Sequence, residues 1–204
     1  CYRDISVNYE KFPCELDEMV GRIDFTERSS KLVNLYARHG DVDLGIEGWT
    51  QATQSGPKVR VRIKSNNMKL TDDLYEAMKE RGKKAWDKFS PSGMVSVDHL
   101  VTRSPEKGRN FKLRAGLLGV DAEYEKFPYP FIDARGTLVI DRNSVLVEDV
   151  VSTDGERKIT VNGTVNNTRR EPPDYNLTII SENIALDDTL GQALPARQKQ
   201  LYDR

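Results

Sequence analysis

The chain has two cysteines and two histidines among 204 residues. This scarcity excludes several chemistries at once. One possible cysteine pair is no disulfide framework, and Cys1, Cys14, His39 and His99 are not spaced as a Cys/His metal cluster. No apolar run approaches the ~20 residues that cross a bilayer as a helix. Neither sign of charge dominates: 31 Lys and Arg stand against 32 Asp and Glu, for a formal net charge of −1. A nucleic-acid binder would need a basic face, so none is expected as partner. The first residues lack the basic, apolar and small-residue order of an export signal. Any address or membrane anchor is therefore expected outside this chain. There is no glycine-rich phosphate loop and no Ser/His/Asp set. The expectation is a protein without enzyme activity, cofactor or metal.

What is present is a repeat. Residues 9–13 read YEKFP, and residues 124–128 read YEKFP again, 115 positions later. Held at that offset, residues 9–48 and 124–163 share nine identities in forty, mostly Gly, Pro or aromatic. Apolar character recurs as well, in Ile23/Leu138, Phe25/Ile140, Leu32/Val147, Leu44/Ile159 and Ile46/Val161. After a shift of one residue, 63–78 lies over 179–194 and pairs Ser65/Ser181, Asn67/Asn183, Leu70/Leu186, Asp72/Asp188, Leu74/Leu190 and Ala77/Ala193. A period of this size means serial modules rather than a short-period solenoid. We place the first unit at 1–119 and the second at 120–204, one elongated piece of a longer array with both outer units incomplete. A cysteine in first position is what a processed lipoprotein presents, but the repeat puts Cys1 inside a unit.

Each unit reads as strands with one helix. Residues 58–65 (KVRVRIKS) alternate apolar and basic side chains at period two, as a half-buried strand does. Residues 94–101 and 111–117 follow suit. Residues 136–150 supply two strands around a polar turn at Asp141, Arg142 and Asn143. Residues 157–165 continue the ladder after a turn at 152–156. Short strands joined in series by tight turns make an antiparallel meander. About seven strands per unit, roughly 4.8 Å apart, give on the order of 34 Å of sheet. A single helix is expected over 70–89, capped by Thr71 or Asp72, with Leu74, Ala77, Met78, Arg81 and Ala85 on one narrow apolar stripe. Its counterpart over 186–204 is interrupted by Pro195. So narrow a helix cannot cover a whole apolar face. The fold class is thus mainly β: tandem meanders forming an elongated curved or groove-shaped sheet, with β-sandwich modules as the alternative.

Three motifs invite chemistry, and each has a plainer reading. Arg38-His39-Gly40 matches the core of a histidine phosphatase signature, but the second copy has Asp154 in place of the histidine. The shared feature is a glycine after a polar residue, which a tight turn needs. The pairs Asp72-Asp73 and Asp187-Asp188 sit at helix starts, where carboxylates are favoured. Three Asn-X-Thr patterns at Asn162, Asn166 and Asn176 match glycosylation acceptors and also arise readily in Asn/Thr-rich strands.

The segments 127–165 and 12–49 together show an aromatic-Pro start, a GxLxh strand, a short turn, an hxhxDh strand, a turn glycine and an hxhxGxh strand, where h is apolar. This pattern resembles the repeats of the AsmA-like family of bacterial envelope proteins, TamB-like proteins among them. The resemblance covers about 40 residues of each copy and implies a repeating β-groove with an apolar interior. It implies a periplasmic, cell-envelope protein anchored in the inner membrane, carrying phospholipid with acyl chains in the groove. The groove residues are then expected to be Val59, Val61, Ile63, Leu44, Ile46, Ile159, Val161, Leu177 and Ile179. Arg60 and Arg62 are expected outside it. The rival function is a structural or interaction array, a spacer or scaffold without ligand.

Overall fold

The structure, a computed structural model, describes residues 7–9, 12–170, 172–184 and 188–193. Eleven strands follow one another through the chain: β1 (Val7–Tyr9), β2 (Phe12–Phe25), β3 (Ser29–His39), β4 (Val42–Thr53), β5 (Gly56–Leu70), β6 (Ser92–Ser104), β7 (Gly108–Tyr124), β8 (Phe127–Ile140), β9 (Val145–Asp154), β10 (Arg157–Asn166) and β11 (Asp174–Glu182). They form one sheet whose spatial order is the sequence order, each strand antiparallel to the next. Two short helices, α1 (Asp72–Ala77) and α2 (Glu80–Phe89), lie between β5 and β6, and α3 (Asp188–Ala193) follows β11. A single sheet in sequential order is the expected meander, and it is not a sandwich.

The repeat is visible element by element. β8 lies 115 residues after β2 at both ends, and α3 lies 116 residues after α1 at both ends. Irregularities recur too. The ladder slips between Leu32 and Leu35 on β3 and between the corresponding Val147 and Val150 on β9. At the slip Asn34 and Asp149 both take φ of 48°, the left-handed conformation short polar side chains tolerate best. Similar slips occur at Ser65/Met68 on β5 and Leu118/Val120 on β7. A bulge bends its strand and increases local twist, so bulges in neighbouring strands bend the sheet as a whole.

Several sequence expectations change. A unit holds six strands, not seven: β2 to β7 lie between one Phe-Pro and the next, and each Phe-Pro opens a strand. Tyr124 pairs with Phe127 across a tight turn at Glu125 and Lys126, and Pro128 sits near the strand start, where a missing N–H is tolerated. The unit boundary at 119/120 falls within β7. The helix expected over 70–89 is broken, since Met78 and Lys79 are extended, with ψ of 151° and 158°. Thr71 is the N-cap, its hydroxyl accepting from the Leu74 amide. Of the region 186–204, only α3 is described; Asp187 and Pro195 lie outside the described residues, as does Cys1. The Arg38-His39-Gly40 motif is the β3–β4 turn, and Gly40 and Gly155 match there with φ of 54° and 58°.

The two faces differ sharply in polarity. On one, Ile46, Ile63, His99, Leu113, Ile140, Val145 and Val165 lie side by side across seven consecutive strands. The other carries cross-strand ion pairs: Arg38 with Asp43 at 3.2 Å, Arg62 with Asp98 at 2.5 Å and Arg114 with Glu148 at 3.1 Å. The chain exposes 14093 Å², whereas a compact monomer of this size exposes about 9,700 Å². Among the described residues no large side chain is fully buried. A single layer leaves much of its apolar face half-covered.

Candidate functional site

All nine predicted groove residues lie on the apolar face. Ile46 is opposite Ile63, and Val61 opposite Gly48. Leu44 is opposite Ala37 on the same face. Val59 lies two residues before Val61 and faces the same way. In the second copy Val161 faces both Val150 and Ile179, Leu177 faces Gly163, and Ile159 faces Ser152. Leu44 and Ile159 are buried, the first near Leu74 of α1 and the second against Ala193 of α3. The other seven are partly covered or exposed, Ile179 at 62%. Arg60 and Arg62 occupy the opposite face, as expected, and Arg62 is held by Asp98.

The sheet is rolled toward this apolar face. Tyr175 lies in one row with Val165, Val145, Ile140 and Leu113, and Tyr124 is eleven residues beyond Leu113 on β7. On a flat sheet the two tyrosines would stand about 40 Å apart. Instead Tyr175 and Tyr124 are near neighbours: burial first, and Tyr124 second, raise the Tyr175 pKa. Both side chains project from the apolar face, so that face is the inside of a trough. The ends of the strands form its two rims.

Helix α2 straps one rim to the other. At its C-terminal end the Lys88 carbonyl accepts from the Glu125 amide at 2.9 Å, and Phe89 stacks on Tyr124 with ring centres 5.0 Å apart. At its N-terminal end Arg81 donates to the Arg142 carbonyl at 2.9 Å and to the Thr168 hydroxyl at 2.5 Å. Arg142 and Thr168 belong to the β8–β9 and β10–β11 turns, at the opposite ends of the strands from Glu125. Ten helical residues rise about 15 Å, which sets the scale of the mouth they cross. The break at Met78 and Lys79 lets α2 leave the direction of α1 and make this crossing. Sequence reasoning missed the strap: it placed Arg81 on an apolar helix stripe, and nothing local marks a residue whose partners are 61 and 87 positions away.

No family model, curated protein or solved structure matches this chain.

The inner face of the trough is lined mainly by apolar side chains. Among the described residues no three His, Cys, Asp or Glu side chains gather as a metal site. His99 is on the inner face, its ring edge-on to Phe111 at 5.9 Å. Burial holds its pKa below 6.5, and the charge of Arg109 pushes in the same direction. Among the described residues no helix is long and apolar enough to cross a membrane. The candidate acceptor Asn162 has a structural role, its side-chain oxygen accepting from the Asp149 amide at 2.7 Å.

Proposed function

We propose that this chain is a segment of a periplasmic lipid conduit that maintains the bacterial envelope, holding phospholipid acyl chains on the apolar inner face of the trough. The observation that carries the reading is that inner face. It runs across both copies, stays half-covered, and extends from β2, where Phe25 is 74% exposed, to the edge strand β11, where Ile179 is 62% exposed. Each CH₂ moved from water onto such a surface contributes about 0.8 kcal/mol, so an acyl chain needs no specific contact to stay. The polar outer face, laced with ion pairs, suits an aqueous compartment on the other side. The resemblance to AsmA-like repeats points the same way.

Native mass spectrometry and lipid extraction of the chain purified from bacterial cells test this. Phospholipid should be retained, and delipidated protein should take up a fluorescent phospholipid. In a variant with Ile63→Asp and Val161→Asp, uptake should fall at least tenfold, because each charge would have to be desolvated beside the acyl chain. A wild-type chain that neither retains nor takes up lipid is a spacer or scaffold, and the conduit reading fails.

A further inference from the structure

Two arginines are out of place on the apolar face. Arg103 on β6 and Arg109 on β7 are directly opposite one another. They continue the row of Val97, His99 and Val101 on one strand and of Leu113 and Phe111 on the other. Like charges at facing positions of an antiparallel pair repel, so this placement is unfavourable unless a counter-charge arrives. None is supplied among the described residues. On the outer face Arg22, Arg38, Arg62 and Arg114 each have a carboxylate within 3.2 Å, whereas Arg103 and Arg109 have no such ion pair. Glu106, in the intervening turn, pairs with Lys58 at 3.8 Å instead. A third guanidinium adds to the local charge: Arg142 donates to the Arg109 carbonyl at 3.4 Å. The lowered pKa of His99, caused first by burial and then by Arg109, agrees with an Arg109 head lying over the inner face.

We propose that Arg103 and Arg109 form an anion site at the rim of the trough, taking the phosphate of a lipid whose acyl chains lie on the apolar rows below. This inference rests on the conduit reading and adds polarity to it: the phosphate is fixed at the β6–β7 end of the strands. Two facing guanidinium forks suit the oxygens of one phosphate, which each can grip through paired N–H groups. The apolar rows begin immediately inward at Val101 and Phe111, so head group and chain are served together.

Binding of short-chain phosphatidic acid, the matching diacylglycerol and glycerol phosphate separates the possibilities. For wild type we expect phosphatidic acid to bind at least tenfold more tightly than diacylglycerol, and glycerol phosphate to bind negligibly. The double variant R103Q/R109Q should lose that tenfold preference and keep diacylglycerol affinity. R60Q, which removes one positive charge from the outer face, should change nothing. Both inner arginines are exposed, and an unchanged melting temperature checks that the variant is folded. If diacylglycerol binds but the arginine substitutions leave phosphatidic acid unaffected, the anion site is wrong and the conduit stands. If neither lipid binds wild type, the conduit fails and this proposal with it. Glycerol phosphate binding that R103Q/R109Q abolishes, without lipid binding, identifies a free-phosphate site and also overturns it.

Discussion

At the scale of single residues, the trough depends on glycines that let strands approach and on one inward histidine. A Cβ at Gly163 would overlap the Asn176 carbonyl oxygen and come within 2.9 Å of the Leu177 Cα, at a φ of 134°. Replacing Gly163 by valine should cost about 1–3 kcal/mol through overpacking and backbone strain, read as a lower urea midpoint. The corresponding Gly48 meets the Arg60 carbonyl in the same way, which explains why this glycine recurs in both copies. His99 makes stability pH-dependent with a definite sign. Its folded pKa is lowered below 6.5 by burial, with Arg109 adding. The unfolded chain therefore takes the proton first. Its contribution is fully present above pH 6.5 and is lost as pH falls through that value toward the folded pKa. The urea midpoint should drop between pH 7.5 and 5.5, and His99→Phe should flatten the drop; an unchanged slope would contradict this assignment. The period-two alternation around Val61 and Ile63 was legible because inward and outward positions in a strand are set locally. The role of His99 was not, since its burial comes from strands on either side.

Among the elements, α2 is the one whose function depends least on its own sequence. It is held by a stacked ring pair and one backbone hydrogen bond at one rim, and by Arg81 at the other. Arg81→Ala removes two hydrogen bonds from exposed positions, worth about 1 kcal/mol in sum or somewhat more. Global stability should fall by no more than that. Amide exchange within 80–89 should accelerate clearly, while β6 and β7 keep their protection. Equal acceleration in the sheet would mean that α2 is part of the core and not a strap. The capping of α1 by Thr71 could be read from a Thr-Asp-Asp start, because capping is local. The break at Met78 and Lys79 could not, as neither residue is a helix breaker and the helix that follows is positioned by contacts with distant turns.

For the molecule as a whole, one rolled layer predicts a particle less compact than its length allows. A globular chain of 204 residues has a radius of gyration near 17 Å. Small-angle scattering should return a clearly larger value, and a value at the globular limit would count against the open trough. The surface area of 14093 Å² belongs to the same picture. The two copies do not close separate cores: β7, β8 and the strands beyond form one unbroken ladder through the unit boundary.

The sequence by itself determined the period, the antiparallel meander and which side chains share a face. These follow from alternation at period two and from turn residues, both local properties that survive in any larger arrangement. The tertiary structure alone decided the direction and extent of rolling. That depends on bulges accumulated over many strands and on contacts such as Tyr124 with Tyr175, which join residues far apart in the chain. It also decided that Arg103 and Arg109 face each other on the apolar side, because register across a turn sets which charges meet.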